Sequence, residues 1–311
     1  MRITEVAAAV ILRHDGSFLL GQRAADTFYP GYWEFPGGKV EPGETPRQGL
    51  ERELAEELGI RVTAATPWIR REHVYEHAHV QLHFFRVTAW EGELRDHVHA
   101  ALAWQRPGDT TVAPMLPANA PVLAALALPD FYAVTQANQI GVDVQLQALE
   151  QALARGLKLV QLRETPLAAA QRESFAAAAV ALARRHGARV LVNGDAQLAW
   201  AVGADGLHLS SRQLKQLRSR PNLPLVAASC HDGSELRLAG DLGLDFAVLG
   251  SIQPTPSHPG GPTLGWAGAG ELLAVCSLPV YLIGGLGRAD LAAAQAMGAQ
   301  GIAAIRGAWT A

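Results

Sequence analysis

This chain contains few cysteines and few charged residues, and its first residues do not resemble a targeting sequence. Its only cysteines are Cys230 and Cys276, which is too few for a disulfide framework or a zinc site. Charged residues make up 18% of the chain and leave a net charge of -3, which excludes a general attraction to nucleic acid or an anionic membrane. The first 16 residues hold only a short apolar run broken by Arg13 and Asp15, so they resemble neither a signal peptide nor a membrane span. We expect a cytoplasmic protein whose partner is a small molecule.

Apolar residues, in contrast, are abundant. They make up 49% of 311 residues, enough to bury the cores of two ordinary domains. The composition changes at Leu128-Pro129-Asp130, after which short apolar runs alternate with segments rich in alanine and leucine. We therefore predict one domain over residues 1–128 and a second over residues 131–311.

Residues 38–60 combine a glycine-containing loop with a helix whose two ends are marked in the sequence. Thr45 suits the N-cap, Pro46 suits the first helical position, and Gln48 can close a capping box with Thr45. Gly59 suits the position that ends the helix. These signals predict a helix that begins at Pro46 and stops before Gly59.

Two faces of this helix differ in character. One carries a stripe of leucines four residues apart, which predicts burial. The other carries carboxylates at i, i+3 and i+4. Their mutual repulsion costs about a few tenths of a kcal/mol per pair. A Mg2+ ion would remove that cost and is bound in proteins by carboxylate and phosphate oxygens; a solvated acidic face is the alternative. The leucines are Leu50, Leu54 and Leu58, and the carboxylates are Glu53, Glu56 and Glu57.

This stretch resembles the Nudix box, G-x5-E-x7-R-E-U-x-E-E-x-G-U with U aliphatic, at every fixed position. Residues 33–38 and 116–119 look like the corresponding segments of MutT-type 8-oxo-dGTP diphosphatases. The resemblance implies an α/β/α sandwich. It also implies a hydrolase that uses Mg2+, or Mn2+ as an alternative, to convert the nucleotide 8-oxo-dGTP to 8-oxo-dGMP and pyrophosphate. Such a reaction sanitises the nucleotide pool for DNA replication and repair.

The resemblance also implies roles for individual residues. Glu53 would be the general base, and Arg52 and Glu44 would pair and hold it in place; an ordinary ion pair on the helix surface is the alternative. The implied metal ligands are Glu53, Glu56, Glu57 and the carbonyl of Gly37. The implied substrate contacts are Arg23, Phe35, Gly38 and Asn119.

Two of these substrate contacts have plain structural alternatives. Arg23 follows a predicted strand and could equally be a solvated surface arginine. Asn119 offers both a donor and an acceptor, which suits the edge of an oxidised purine. It also precedes Ala120-Pro121, where an asparagine could cap a helix.

One position departs from the MutT pattern. MutT-type enzymes carry a further glutamate in the loop before a tryptophan, and Ala103 stands there, before Trp104. Asp96, His97 and His99 lie upstream as candidates to replace it, and their spacing does not choose among them.

Other elements of the first domain follow from apolar patterns and turn residues. Residues 6–12 and 17–22 are predicted to form a hairpin around His14-Asp15-Gly16. Residues 74–80 and 81–88 are predicted as strands, and residues 117–128 as a helix that packs on the sheet.

The second domain contains eight short apolar runs separated by helical segments. Eight βα units in one domain predict a TIM (β/α)8 barrel. The runs are residues 131–135, 157–162, 188–192, 206–209, 223–227, 245–249, 279–283 and 301–304.

Residues 161–164, 203–209, 254–256 and 283–286 resemble thiamine phosphate synthase and its TenI relatives. Four positions at which the synthases carry charge depart from that pattern. Two lysines are replaced by Thr165 and His258, and two metal-binding aspartates by Gly194 and Gln213. Asp195, next to Gly194, is a weak candidate to substitute. Without carboxylates to hold Mg2+ against a diphosphate, we expect a barrel that does not synthesise thiamine phosphate.

What the barrel retains are two short glycine-containing segments after its last two strands. Glycines there suit phosphate binding, as TIM barrels commonly show, although tight turns are the alternative. His231 matches a histidine position of the TenI group and is a candidate for proton transfer, whereas His208 reads as a core residue. The candidate phosphate-binding residues are Gly284, Gly285, Arg306 and Gly307.

Two further hypotheses follow from the combination of domains. The hydrolase could act on thiamine-pathway or damaged thiamine diphosphates instead of 8-oxo-dGTP. Alternatively, the barrel could be a sensor of a phosphate ligand that regulates the Nudix domain.

Overall fold

The computed structural model describes residues 3–76, 78–255 and 260–309. The chain divides into two compact units, Met1–Leu128 and Pro129–Ala311. Within the described ranges, no helix has the length and apolar character needed to cross a membrane.

The first unit contains a four-stranded sheet in the order β4-β1-β6-β5 and a three-stranded sheet in the order β3-β2-β7. Strand β1 runs parallel to β6 and antiparallel to β4. The strands and helices are β1 (Ile3–Ile11), β2 (Phe18–Gln22), β3 (Trp33–Glu34), β4 (Gly37–Lys39), α1 (Pro46–Leu58), β5 (Arg61–Val74), β6 (His79–Glu91), β7 (Ala101–Gln105) and α2 (Ala120–Leu126).

Strand β1 separates two apolar cores because its successive side chains point to opposite faces. Ala7 and Ala9 pack with the leucine stripe of α1 on one face. Ala8 and Val10 pack on the other face with Val122 of α2. The unit is therefore an α/β/α sandwich, as expected.

Helix α1 confirms the predictions made for it. The Thr45 side chain accepts a hydrogen bond from the backbone N–H of Gln48. The Gln48 side chain in turn accepts one from the backbone N–H of Thr45, which completes the capping box. Gly59 ends the helix with φ 66°, a left-handed conformation that a residue without Cβ adopts at little cost. All three leucines of the predicted stripe are fully buried.

The predicted hairpin of residues 6–12 and 17–22 is wrong. A turn does form at residues 13–17, but only Leu12 and Phe18 make a bridge across it. Beyond that bridge the strands separate, and β2 pairs with β3 and β7 in the other sheet. The reason is that β1 is buried on both faces and takes β4 and β6 as its partners.

The strand predicted at residues 74–80 is also wrong. Strand β5 ends at Val74 and its antiparallel partner β6 begins at His79, so two strands replace the single one predicted; residue 77 lies outside the described residues. Polar residues and register shifts along β5 hide the alternation that would have revealed it. The helix predicted at residues 117–128 begins as a 3-10 turn, Pro117–Asn119, and continues as α2.

The second unit is a closed barrel of eight parallel strands, which confirms the predicted fold. Its strands are β8 (Phe131–Val134), β9 (Leu159–Leu162), β10 (Arg189–Asn193), β11 (Gly206–Leu209), β12 (Leu225–Cys230), β13 (Phe246–Leu249), β14 (Val280–Leu282) and β15 (Gly301–Ala304). Its helices are α3 (Ala137–Ile140), α4 (Val142–Ala154), α5 (Ala169–Arg185), α6 (Ala196–Ala201), α7 (Ser211–Gln216), α8 (Gly233–Asp241), α9 (Gly265–Leu273) and α10 (Leu291–Ala296).

Large side chains fill the barrel interior. Tyr132, Phe246 and Tyr281 are fully buried and contact one another through their rings. His208 lies beside Tyr132, with its Nδ1 3.3 Å from the tyrosine hydroxyl. Burial lowers the pKa of His208 to about 3, so this histidine is a neutral core residue, as predicted.

Candidate functional site

The carboxylate of Glu53 lies between a glycine and an arginine. Arg52 Nη1 donates to Glu53 Oε1 at 2.9 Å. On the other side the carboxylate packs directly on Gly38, where a Cβ would lie 2.3 Å from Glu53 Cδ. Only glycine leaves room for the carboxylate in this position, which explains the glycine that opens the motif.

The ion pair predicted between Arg52 and Glu44 is present. The guanidinium contacts both Glu44 oxygens, at 2.9 and 3.1 Å, and also donates to the Lys39 carbonyl at 2.9 Å. Its hydrogen bonds hold the pKa of the Glu44 carboxyl below its usual value. Because the same guanidinium also contacts Glu53, the pair is part of a network that fixes Glu53 and is not an isolated surface contact.

Glu57 is a buried carboxylate in a negative environment. Its Oε2 accepts the Gly37 N–H at 3.1 Å. Burial, followed by the charges of Glu53, Glu34 and Asp96, raises its pKa from 4.5 to about 7. A bound cation would relieve both causes, so the Glu57 carboxylate has the chemistry of a ligand for a divalent metal.

Glu56 points away from this pair. Its side chain is 62% exposed and pairs with Arg52 at 3.4 Å. Among the residues that the structure describes, no three His, Cys, Asp or Glu side chains converge closely enough to hold a metal. Two of the predicted ligands, Glu53 and Glu57, therefore face the glycine loop, whereas Glu56 lies at the solvent. Gly37 contacts Glu57 through its own backbone N–H.

A cavity of about 570 Å³ opens beside the glycine loop and is lined by Arg23, Phe35, Gly38 and Asn119, the four predicted substrate contacts. Arg23 is not a solvated surface residue. Its Nη1 pairs with Glu34 Oε1 at 2.5 Å, and its Nε donates to the Phe28 carbonyl at 2.5 Å. The arginine is thus held in the cavity wall.

Phe35 and Asn119 form a buried part of that wall. Phe35 packs against Phe18 and Phe84 with ring centroids 5.9 and 5.8 Å apart. Asn119 donates from Nδ2 to the Trp33 carbonyl at 3.3 Å and makes no capping bond to α2. The helix-cap alternative for Asn119 is therefore not used.

Glu34 and Tyr75 are among the residues that line this cavity and that the sequence did not indicate. Glu34 lies within residues 33–38, and burial raises the pKa of its carboxyl despite the nearby Arg23. Tyr75 lies in the β5–β6 connection, which the sequence had suggested was a strand. A glutamate between two aromatic residues, Trp33 and Phe35, was the available signal for the first.

Of the three candidates to replace the missing loop glutamate, one reaches the site. Ala103 lies within strand β7. The Nε2 of His99 lies 4.0 Å from Glu57 Oε2, and its Nδ1 lies 3.2 Å from Asp96 Oδ1. His97 contacts Glu57 only through the backbone, its N–H donating to the Glu57 carbonyl at 3.0 Å. Burial lowers the pKa of His99.

In the barrel, the two positions of the missing aspartates are neighbours. Gln213 Nε2 donates to the Gly194 carbonyl at 2.8 Å, so the pair satisfies itself without a cation. Asp195 does not substitute for either ligand, because it caps α6 and pairs with Arg172 at 3.1 Å. Thr165 lines the adjoining cavity of about 400 Å³, and His258 lies outside the described residues.

His231 lines the same barrel cavity. Its Nδ1 lies 2.5 Å from the Gly250 carbonyl, which can only accept, so Nδ1 carries a proton and Nε2 is the nitrogen left to exchange one. A second cavity of about 210 Å³ brings together the four residues predicted to bind phosphate, Gly284, Gly285, Arg306 and Gly307.

Comparisons with known proteins agree with this division. A Nudix domain model matches residues 2–126 and a thiamine monophosphate synthase model matches residues 131–308. CTP pyrophosphohydrolase of Escherichia coli (strain K12) is 43% identical over 40% of this chain and 92% of its own length. 8-oxo-dGTP diphosphatase of Proteus vulgaris is 44% identical over 29% of this chain and 81% of its own.

The second unit has relatives of another kind. A putative thiamine-phosphate synthase of Geobacter sulfurreducens is 36% identical over 56% of this chain and 84% of its own length. The chain therefore belongs to the Nudix hydrolase family in its first unit and to the thiamine monophosphate synthase family in its second.

Proposed function

We propose that the first unit is a Mg2+-dependent hydrolase that converts 8-oxo-dGTP to 8-oxo-dGMP and pyrophosphate, and so sanitises the nucleotide pool. The observation that carries the proposal is the position of Glu53 and Glu57 at the glycine loop, directly beside the cavity of Arg23 and Asn119. A triphosphate whose base entered the cavity would pass its phosphates across Gly38.

Mg2+, or Mn2+ in its place, would be held by Glu53 and Glu57, with Glu56 and the Gly37 carbonyl as the further expected ligands. When bound, the ion would offset the charge of the diphosphate and lower the pKa of water. Glu53 is suited to take a proton, because Arg52 engages its Oε1 and Oε2 is the oxygen left to accept one. Arg52 and Glu44 would orient that oxygen.

Discrimination of the base would rest on acceptors in the cavity. The Nδ2 of Asn119 is bound to the Trp33 carbonyl, which leaves Oδ1 as its acceptor. Oxidation of guanine at C8 places a hydrogen on N7, which can donate to that oxygen, whereas N7 of guanine is itself an acceptor and would face it unfavourably.

A cytosine nucleotide is the second candidate, because the chain spans 92% of a CTP pyrophosphohydrolase at 43% identity. The exocyclic amine of cytosine would also donate to an acceptor such as Asn119 Oδ1 or Glu34. Both candidates would use the same catalytic residues; they differ in the base and in the 2′-hydroxyl of the sugar.

A substrate panel under Mg2+ separates these alternatives by the release of pyrophosphate or phosphate. The panel contains 8-oxo-dGTP, dGTP, CTP and thiamine diphosphate. We expect the highest kcat/KM for 8-oxo-dGTP, and a loss of its advantage over dGTP in Asn119→Ala. A higher kcat/KM for CTP than for 8-oxo-dGTP would make a cytosine nucleotide the substrate. A higher kcat/KM for thiamine diphosphate than for either nucleotide would refute the proposed role in nucleotide sanitation. Glu51→Gln, on the same helix but paired with Arg47, is the matched control.

For the second unit we propose binding of a phosphorylated ligand at Gly284, Gly285, Arg306 and Gly307, without thiamine phosphate synthesis. The Gln213–Gly194 hydrogen bond, at the position of both missing aspartates, supports this. Proton transfer by His231 within a bound thiazole phosphate is the reaction for which its Nε2 is available. Titration calorimetry with thiazole phosphate tests binding. The sensor hypothesis is tested by comparing nucleotide hydrolysis by the intact chain and by the chain without its second unit, each with and without thiamine phosphates.

A further inference from the structure

The Asp96–His99 segment brings a histidine to the catalytic carboxylates from outside the Nudix motif. Asp96 Oδ1 accepts the backbone N–H groups of Val98 and His99, at 3.2 and 2.8 Å, and thereby shapes the turn. The same oxygen lies 3.2 Å from His99 Nδ1. The imidazole is only 5% exposed, so its orientation is fixed by its surroundings.

Strand β2 provides the space for this ring. A Cβ at Gly21 would lie 2.2 Å from His99 Cδ2 and 2.5 Å from Nε2. Gly21 does not have a positive φ, so no backbone conformation requires glycine at this position. The glycine therefore accommodates the imidazole, and the ring could not lie here beside any larger residue.

The hydrogen bond to Asp96 determines which nitrogen carries the proton. A carboxylate only accepts, so Nδ1 of the neutral ring is the donor and Nε2 presents a lone pair. Nε2 lies 4.0 Å from Glu57 Oε2, an oxygen that also accepts the Gly37 N–H. Two acceptor atoms thus lie close together, an arrangement that a cation would stabilise.

We propose that His99 Nε2 is a ligand of the divalent cation at the Nudix site, beside Glu57, and that Asp96 orients it. The 4.0 Å separation is within about twice a typical metal–oxygen bond of ~2.1 Å, so one ion can contact both atoms. A ligating histidine that donates its other N–H to a carboxylate is a recurrent arrangement in metal sites. This inference rests on the proposed metal-dependent function and supplies the ligand that Ala103 does not.

An imidazole ligand makes a spectroscopic prediction that does not depend on catalysis. The full chain is loaded with one equivalent of Mn2+, and pulsed electron paramagnetic resonance is used to detect coupling of the ion to 14N. We expect nitrogen coupling in the wild type, its loss in His99→Gln, and its retention in His97→Gln, the neighbouring control. Bound Mn2+ without nitrogen coupling in the wild type would overturn the proposal, as would coupling that persists in His99→Gln.

Affinity measurements test the supporting residues. Asp96→Asn should weaken Mn2+ binding by about 10- to 100-fold, as loss of such partners does elsewhere. Gly21→Ala should displace the imidazole and weaken binding similarly, but should cause no further loss in a His99→Ala background. Unchanged affinity in both single variants, or additive losses in the double variant, would contradict these roles.

The two proposals fail separately. Nitrogen coupling without hydrolysis of any panel nucleotide would leave the ligand assignment standing and remove the proposed function. Hydrolysis by a protein whose bound Mn2+ shows no nitrogen coupling would support the proposed function and remove the assignment of His99 as a ligand. Because imidazole is a softer ligand than carboxylate, the ratio of Mn2+ to Mg2+ affinity should also fall in His99→Gln.

Discussion

Glu57 gives the sharpest test of the electrostatics at the site. In metal-free protein, Glu57→Gln should stabilise the first unit at alkaline pH. Burial and neighbouring negative charges raise the pKa of Glu57 from 4.5 to about 7. The difference, 7 minus 4.5, corresponds to at most about 3 kcal/mol at roughly 1.4 kcal/mol per pKa unit. The side chain is 18% exposed, so solvent screening reduces this figure only in part.

The sign follows from the direction of the shift. The folded protein holds this proton more tightly than the unfolded chain, so the stabilising contribution is complete below pH 4.5 and is lost as the pH rises through about 7. Glutamine has no charge to bury, and its side-chain oxygen can still accept the Gly37 N–H. The variant should therefore lack this pH dependence.

Calorimetric unfolding in a chelator at pH 5 and pH 8 measures the effect. At pH 8 the transition of Glu57→Gln should lie above that of the wild type by up to about 10 °C, the shift expected for ~3 kcal/mol in a unit of this size. At pH 5 the two should nearly coincide. Added Mg2+ should raise the wild-type transition and not that of the variant, because ligand binding stabilises only the state that binds.

The same experiment contains its refutation. Identical transitions for wild type and variant across this pH range would show that Glu57 is not buried as a charge. A less stable variant at pH 8 in chelator would show that the ionised carboxylate is satisfied by the protein alone. Glu51→Gln, a substitution at a half-buried position on the same helix where the carboxylate pairs with Arg47, should change nothing.

Three further predictions concern the reactions. Glu53→Gln should lower kcat by about a hundredfold or more with an unchanged circular dichroism spectrum, since general base catalysis is typically worth ~10²–10⁴; a rate above about a third of wild type would show that another group is the base. Gly38→Ala should lower kcat by about a hundredfold, because its Cβ would displace the Glu53 carboxylate; wild-type kcat would exclude this close contact. The barrel should form no thiamine phosphate from its two precursors, and complementation of a synthase-deficient strain would refute the importance ascribed to Gly194 and Gln213.

The elements that the sequence predicts well are those defined by local signals. Helix α1 has a capping box at Thr45 and a left-handed Gly59, both readable from residue type alone. The eight barrel strands are short buried runs between helices, and the structure shifts their predicted ends by only a few residues. Such features need no knowledge of which strands are neighbours.

Strand pairing in the first unit could not be predicted in this way. The turn at residues 13–17 suggests that β1 pairs with β2, yet β1 pairs with β6, for example Ile3 with His79. The burial of β1 on both faces determines its partners, and that burial is a property of the assembled sandwich. Strand β5 escaped prediction because its polar positions and bulges break the period of two.

The candidate site shows the same division between local and long-range information. The resemblance to the Nudix box on one helix pointed to Glu53, Arg52 and Glu57. It could not show that Glu56 faces the solvent or that His99, more than forty residues later, reaches Glu57. That placement depends on the turn shaped by Asp96 and on the absence of a side chain at Gly21, neither of which belongs to the motif.

The two units differ in how they treat the charge that a metal would balance. At the Nudix loop, Glu57 is buried among like charges, and its raised pKa shows that the described residues do not compensate them. In the barrel, the positions of the two missing aspartates hold an amide and a glycine that satisfy each other through one hydrogen bond. A site that lacks a cation is unfavourable in the first case and complete in the second. We therefore expect the metal ion, and with it the proposed diphosphate chemistry, in the Nudix unit.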